Sequence, residues 1–149
     1  MLESAAQLGD ERMPLEFDLI PPATLLESNG NGSAVDIRAS DTRTFYCVML
    51  ITDQIEQESV DVSIWGSADG ENWGTQPFLR LPQRFYRGET RAILDLAASP
   101  EVNYIRASWE LNRWGRVAPA PMFVLELHLS EIPAMPNRPN PVTMSASDR

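Results

Sequence analysis

The sequence predicts an all-β fold, an antiparallel β-sandwich or jelly roll of seven or eight strands. Three observations lead there. Apolar residues recur with a period of two, turn-forming residues separate the recurrences, and no ten-residue amphipathic helix is present. Short strands with this punctuation are the pattern of two packed sheets. The 149 residues suit one domain, and 43% apolar content is enough for an ordinary core.

The elements can be taken in order. Residues 1–13 form an acidic N-terminal arm, in which a helical turn through Ser4–Leu8 has no capping residue. The β-sandwich domain is expected over residues 14–133. Its first two strands are Leu15–Ile20 and Ala34–Arg38, separated by Asn29-Gly30-Asn31-Gly32, which reads as a turn tolerant of positive φ. Arg43–Thr52 is apolar on both faces and is expected at the centre of a sheet. In Ser59–Trp65, Val60, Val62 and Ile64 alternate with Asp61, Ser63 and Trp65. Asp69-Gly70 then gives a hairpin signal. Phe78–Leu81 and Thr90–Leu96 follow, broken by Pro82, Arg87-Gly88 and Ser99-Pro100. In Asn103–Leu111 the inward set is Ile105, Ala107, Trp109 and Leu111. In Met122–Ser130 it is Phe123, Leu125, Leu127 and Leu129. Residues 134–149 form a C-terminal arm carrying Pro136, Pro139 and Pro141 with few large apolar groups. Such an arm cannot offset its ordering entropy alone and is expected to be disordered, or extended against a partner.

Composition removes several functions. A net charge of −9 argues against a duplex-binding surface, which needs a basic stripe, so nucleic acid is not an expected partner. No run approaches the roughly 20 apolar residues of a membrane span, and no membrane partner is expected. Residues 1–12 have neither a basic n-region nor an apolar h-region. Production in the cytoplasm is expected, with a virion or other protein particle as the destination. The basic residues are 12 arginines and no lysine, which fits either a codon-biased genome or arginine's suitability for interface pairs.

Catalytic chemistry has little to work with. His128 is the only histidine, lies on the polar face of its strand, and is accompanied by no nucleophile motif. Cys47, the only cysteine, falls in an apolar run and is expected to be buried and inert. With one His and one Cys, an ordinary zinc site cannot be assembled. Asp53, Glu56, Glu58 and Asp61 crowd one connection and Asp69 and Glu71 another, without the spacing of a calcium loop. A Walker loop is impossible without lysine. No cofactor or metal is expected, and the chain reads as a non-enzyme.

Two segments remain as candidates for binding. In Trp109-Glu110-Leu111-Asn112-Arg113-Trp114-Gly115-Arg116 the chain is expected to turn after Leu111. That would leave Asn112, Arg113, Trp114 and Arg116 at a loop tip. Trp beside Arg can anchor a protein interface or stack on a sugar; Trp114 can also cap the sandwich while the arginines pair locally. The second segment, Ser63-Ile64-Trp65-Gly66-Ser67-Ala68-Asp69-Gly70-Glu71-Asn72-Trp73, resembles the strand–turn unit of discoidin-like sandwiches. It is similar, too, to a segment of small β-sandwich structural proteins of tailed-phage particles. Both usually continue into an aromatic-aliphatic-Arg strand, the place of Asn103-Tyr104-Ile105-Arg106-Ala107. The resemblance spans Val60 to Ala107. Physically, Asp69-Gly70 makes the turn, Ser67 bonds its backbone, and Trp73 is expected to fold over it as a lid.

The expected function is therefore a non-catalytic structural or decoration subunit that assembles with protein subunits of its own or a neighbouring type. The alternative is a discoidin-type carbohydrate-binding module with a glycan as ligand.

Overall fold

A computed structural model describes residues 13–115 and 121–134. Nine strands and no helix occur among them: β1 (Glu16–Leu26), β2 (Gly30–Asn31), β3 (Val35–Asp36), β4 (Thr44–Gln54), β5 (Glu58–Ser67), β6 (Leu79–Arg80), β7 (Gly88–Asp95), β8 (Tyr104–Arg113) and β9 (Phe123–Glu131). Six are long, and three contain only two residues, which accounts for the excess over the expected seven or eight.

The strands form two antiparallel sheets, ordered β1-β9-β4-β7 and β2-β8-β5-β6, with β3 also pairing with β8. The pairings nest along the chain: β1 with β9, β2 with β8, β4 with β7, β5 with β6. This is one long hairpin rolled into two sheets, the jelly-roll arrangement.

Period-two alternation places the core between the sheets. Phe45, Cys47, Met49 and Ile51 of β4 face inward with Phe123, Leu125, Leu127 and Leu129 of β9. Val60, Val62 and Ile64 of β5 meet them with Ile105, Ala107 and Leu111 of β8. Trp109 departs from the expected pattern. It is only half-buried, because its indole N–H reaches out to donate to the Ser28 carbonyl at 3.1 Å. The double apolar character of β4 has a simple cause: β4 lies between β9 and β7, and Tyr46, Val48 and Leu50 are half-buried on its outer side.

Two further expectations are corrected. β1 does not stop at Ile20 but continues to Leu26 through Pro21 and Pro22. Its pairing with β9 slips between Asp18 and Ile20, and again between Ile20 and Thr24. Prolines are tolerated because β1 lies at a sheet edge, and Ala23 takes up the irregularity at φ 61°. The Asn29–Gly32 segment is not a positive-φ turn. Gly30 and Asn31 pair with Trp109 and Ser108, and Asn29 Oδ1 accepts from Leu111 N at 2.7 Å. Glycine is needed there for close approach: a Cβ on Gly30 would sit 3.2 Å from the Trp109 indole nitrogen, and one on Gly32 2.9 Å from the Leu19 carbonyl.

Candidate functional site

The candidate residues at the end of β8 do not form a loop tip after Leu111. β8 continues to Arg113, with Asn112 opposite Ser59 and Arg113 opposite Glu58. The ladder holds because β5 extends equally far on its side. Asn112 is exposed on this strand. Arg113 is tied to its own chain, its Nη1 donating to the Glu56 carbonyl at 2.9 Å. Trp114 N donates to the Gln57 carbonyl at 3.0 Å, so the backbone is anchored while the side chain stays 55% exposed. Arg116 lies outside the described residues.

Trp114 has company that the sequence reading did not anticipate. Its ring meets Phe85 edge-on at 6.1 Å, and Phe85 lies 6.3 Å from Tyr86. Phe85 is 38% exposed and Tyr86 63%. Their loop is held from beneath by paired backbone bonds between Val60 and Arg84, at 2.9 and 3.0 Å. Arg84 Nε donates to Thr90 Oγ1 at 2.8 Å, and Arg87 pairs with Asp53 at 3.0 Å. The support is polar and internal, which leaves three exposed aromatic rings linked through Phe85. Arg84-Phe85-Tyr86-Arg87, an adjacent aromatic pair outside any alternation, was the signal available in the sequence.

This cluster leads directly into β7, an edge strand of the first sheet. All eight of its residues pair with β4 on one side, and no described strand pairs with it on the other. Ile93 stands 49% exposed on its outer side, opposite Tyr46.

Trp73 belongs to another place. Ser67 Oγ accepts from Asp69 N and Gly70 N, at 3.2 and 2.9 Å, and donates to Asp69 Oδ1. Asp69 Oδ1 also accepts from Asn72 N and Glu71 N, each at 2.8 Å. Those two backbone donors, then Ser67, hold the Asp69 carboxyl down at about 2. Gly70 supplies φ 82°. The turn is thus closed by side chains, not by a two-residue hairpin, and β6 begins only at Leu79. The Trp73 ring stacks against Arg106, with the guanidinium 4.3 Å from the ring centre. Arg106 and Trp114 are eight residues apart along β8, roughly 26 Å at strand rise. The two tryptophans therefore cannot share one site.

The ionisable groups are engaged structurally. His128 Nδ1 lies 2.8 Å from Asp18 Oδ1 and Nε2 2.8 Å from Glu16 Oε2, and the Asp18 bond foremost raises its pKa. Buried Glu131 accepts from Leu15 N, Asp41 N, Thr42 N and the Ser40 hydroxyl. Burial alone would raise its pKa, but those donors outweigh it and lower the value. Glu58, also buried, accepts from Ile55 N and Met122 N. Burial pushes the Cys47 thiol up to about 12. No group of three or more His, Cys, Asp or Glu positioned for a metal ion occurs among the described residues.

The chain matches no protein-family model and no curated protein. The reading of function rests on the site itself.

Proposed function

We propose that this jelly roll is a non-catalytic assembly subunit that docks onto a neighbouring protein chain through Phe85, Tyr86, Trp114 and the open edge of β7. One observation carries the reading: three exposed aromatic rings, Tyr86 and Trp114 each against Phe85, adjoin an eight-residue strand edge that no described strand pairs with. Aromatic clusters of this kind are the usual anchors of protein interfaces. An unpaired strand edge offers backbone donors and acceptors to an incoming strand. The arginines contribute less than their number suggests, since Arg87 and Arg113 are already held by Asp53 and the Glu56 carbonyl. Apolar contact and strand addition dominate, which suits a chain whose charge of −9 opposes approach of like subunits.

The C-terminal arm, residues 134–149, lies beyond residue 134 outside the described residues, and its docking on a neighbouring chain belongs to the same proposal. Proline at 136, 139 and 141 lowers the entropy lost on docking. The last strand ends beside Phe45, away from the Gln54 end of β4 that adjoins the aromatic loop. The arm thus starts far from its own chain's cluster. A protein particle, phage-like in the specific version, is the setting in which such a subunit works. Deletion after Pro133 tests the arm: native mass should fall while the monomer's thermal midpoint holds. A deletion that leaves the mass unchanged removes the arm from the account.

A further inference from the structure

The outer face of the second sheet carries a different feature, independent of the assembly reading. Three cross-strand pairs of β5 and β8 line up on it: Asp61 opposite Glu110, Ser63 opposite Ser108, and Trp65 opposite Arg106. The small serines in the middle row leave a hollow between taller neighbours. That hollow is a cleft of about 150 Å³, with Trp65 at one end, Asp61 and Glu110 at the other, and Arg80 of β6 at the side.

Much of its hydrogen-bonding capacity is unspent, although Ser63 Oγ already accepts from the Trp65 indole nitrogen at 2.9 Å. The Glu110 and Arg80 side chains make no hydrogen bond or ion pair with any described residue. Asp61 uses one oxygen, accepting from Gln83 Nε2 at 3.0 Å. Ser108 Oγ has only a 3.5 Å contact with the Gly30 carbonyl. Arg106 Nε, cross-strand from Trp65 but outside the cleft lining, is buried without a partner, its guanidinium lying over Trp73. Like charges directly opposed on a ladder oppose folding, and no cation bridges Asp61 to Glu110 among the described residues.

The chemistry selects a ligand class. Two carboxylates and one arginine, Arg80, line the cleft, so a ligand must offer donors to the first and an acceptor to the second. An apolar guest would strip water from these groups and satisfy none of them. The volume lies below the usual range for a drug-sized ligand and suits one ring. A hydroxyl-rich ring with an apolar C–H face answers all three conditions. We propose that this cleft binds a single glycosyl unit, its hydroxyls donating to Asp61 and Glu110, Arg80 donating to a ring or acetal oxygen, and its C–H face against Trp65.

The test uses the full chain and methyl glycosides of glucose, galactose, mannose, xylose and N-acetylglucosamine, titrated into the tens of millimolar. Tryptophan fluorescence and amide chemical shifts report binding. At least one glycoside should saturate, with Kd on the order of 1 mM. Shifts should centre on Ser63, Trp65 and Ser108 and spare Phe85 and Trp114. Arg80→Ala and Glu110→Gln should each weaken binding by about tenfold. Because Glu110→Gln removes a like-charge opposition, its thermal midpoint should hold or rise. The proposal is overturned if no glycoside saturates, or if both variants bind as well as the parent. Saturation by guanidinium in place of the sugars overturns it too, since the cleft is then a cation site.

Discussion

The two edges of the first sheet are built differently. β1 passes through Pro21 and Pro22, slips register twice against β9, and places Ala23 at φ 61°. It is clasped from the side by His128, between Glu16 and Asp18, and Glu131 accepts from Leu15 N just before it. β7 has no proline and an unbroken eight-residue register with β4. Irregular edges with proline resist strand addition, and regular ones invite it. The aromatic cluster of Phe85, Tyr86 and Trp114 sits beside the regular edge. Within one sheet, then, one edge is finished by the chain itself and the other has no pairing strand among the described residues.

The largest expected effect comes from unfastening the finished edge. Glu131→Ala strands the donors of Leu15, Ser40, Asp41 and Thr42 and should cost about 3 kcal/mol in denaturant unfolding. A loss under about 1 kcal/mol would mean that water replaces the carboxylate and that β1 does not depend on it. Next is Trp114→Ala, expected to weaken association by about 2 kcal/mol or more. With its ring 55% exposed, monomer stability should change by less than about 1 kcal/mol. Unfolding of the Trp114→Ala monomer would make the residue a sandwich cap. Ile93→Lys on the open edge should weaken association by about tenfold with stability nearly unchanged, because an edge lysine opposes strand addition.

The smallest effect is the pH response of the His128 clasp. Its folded pKa is raised, so its contribution is fully present below the unfolded value of 6.5 and is lost as pH rises through the folded value. Thermal midpoints should therefore decline slightly above neutrality, and His128→Gln should flatten that decline. Glu131 runs in the opposite sense. Its lowered pKa gives stability above 4.5 that is lost as pH falls. A midpoint that does not move in His128→Gln across the neutral range would show the clasp to be idle.

Much of the sandwich was legible because alternation reports which face of a strand is buried. Val60, Val62 and Ile64, the inward set of β9, and buried Cys47 all follow from period two. So does the polar-face position of His128. What the sequence concealed depends on distant partners. Gly30 and Asn31 look like a turn locally, yet they pair with Ser108 and Trp109 because a nearly bare backbone fits against that indole. The end of β8 was misplaced because β5, some fifty residues earlier, sets how far the ladder runs. Of the binding candidates, Trp114 and Asn112 were both legible as exposed residues. Trp73 was assigned to the turn, since nothing in its neighbourhood reveals that Arg106 would lie against it. Phe85 and Tyr86 were passed over because two adjacent aromatics fit neither strand nor turn patterns. Only the fold shows that Trp114 meets Phe85.

The central claim is that the open edge and its aromatic cluster exist to be covered by another chain. The most direct measurement is the native mass, by light scattering, of the full chain isolated from the cells that make it, beside the Trp114→Ala variant. The account predicts a parent mass well above the 16.7 kDa of one chain and a variant shifted toward 16.7 kDa with its thermal midpoint preserved. A parent that stays at 16.7 kDa, or a variant that keeps the parent's mass, contradicts it.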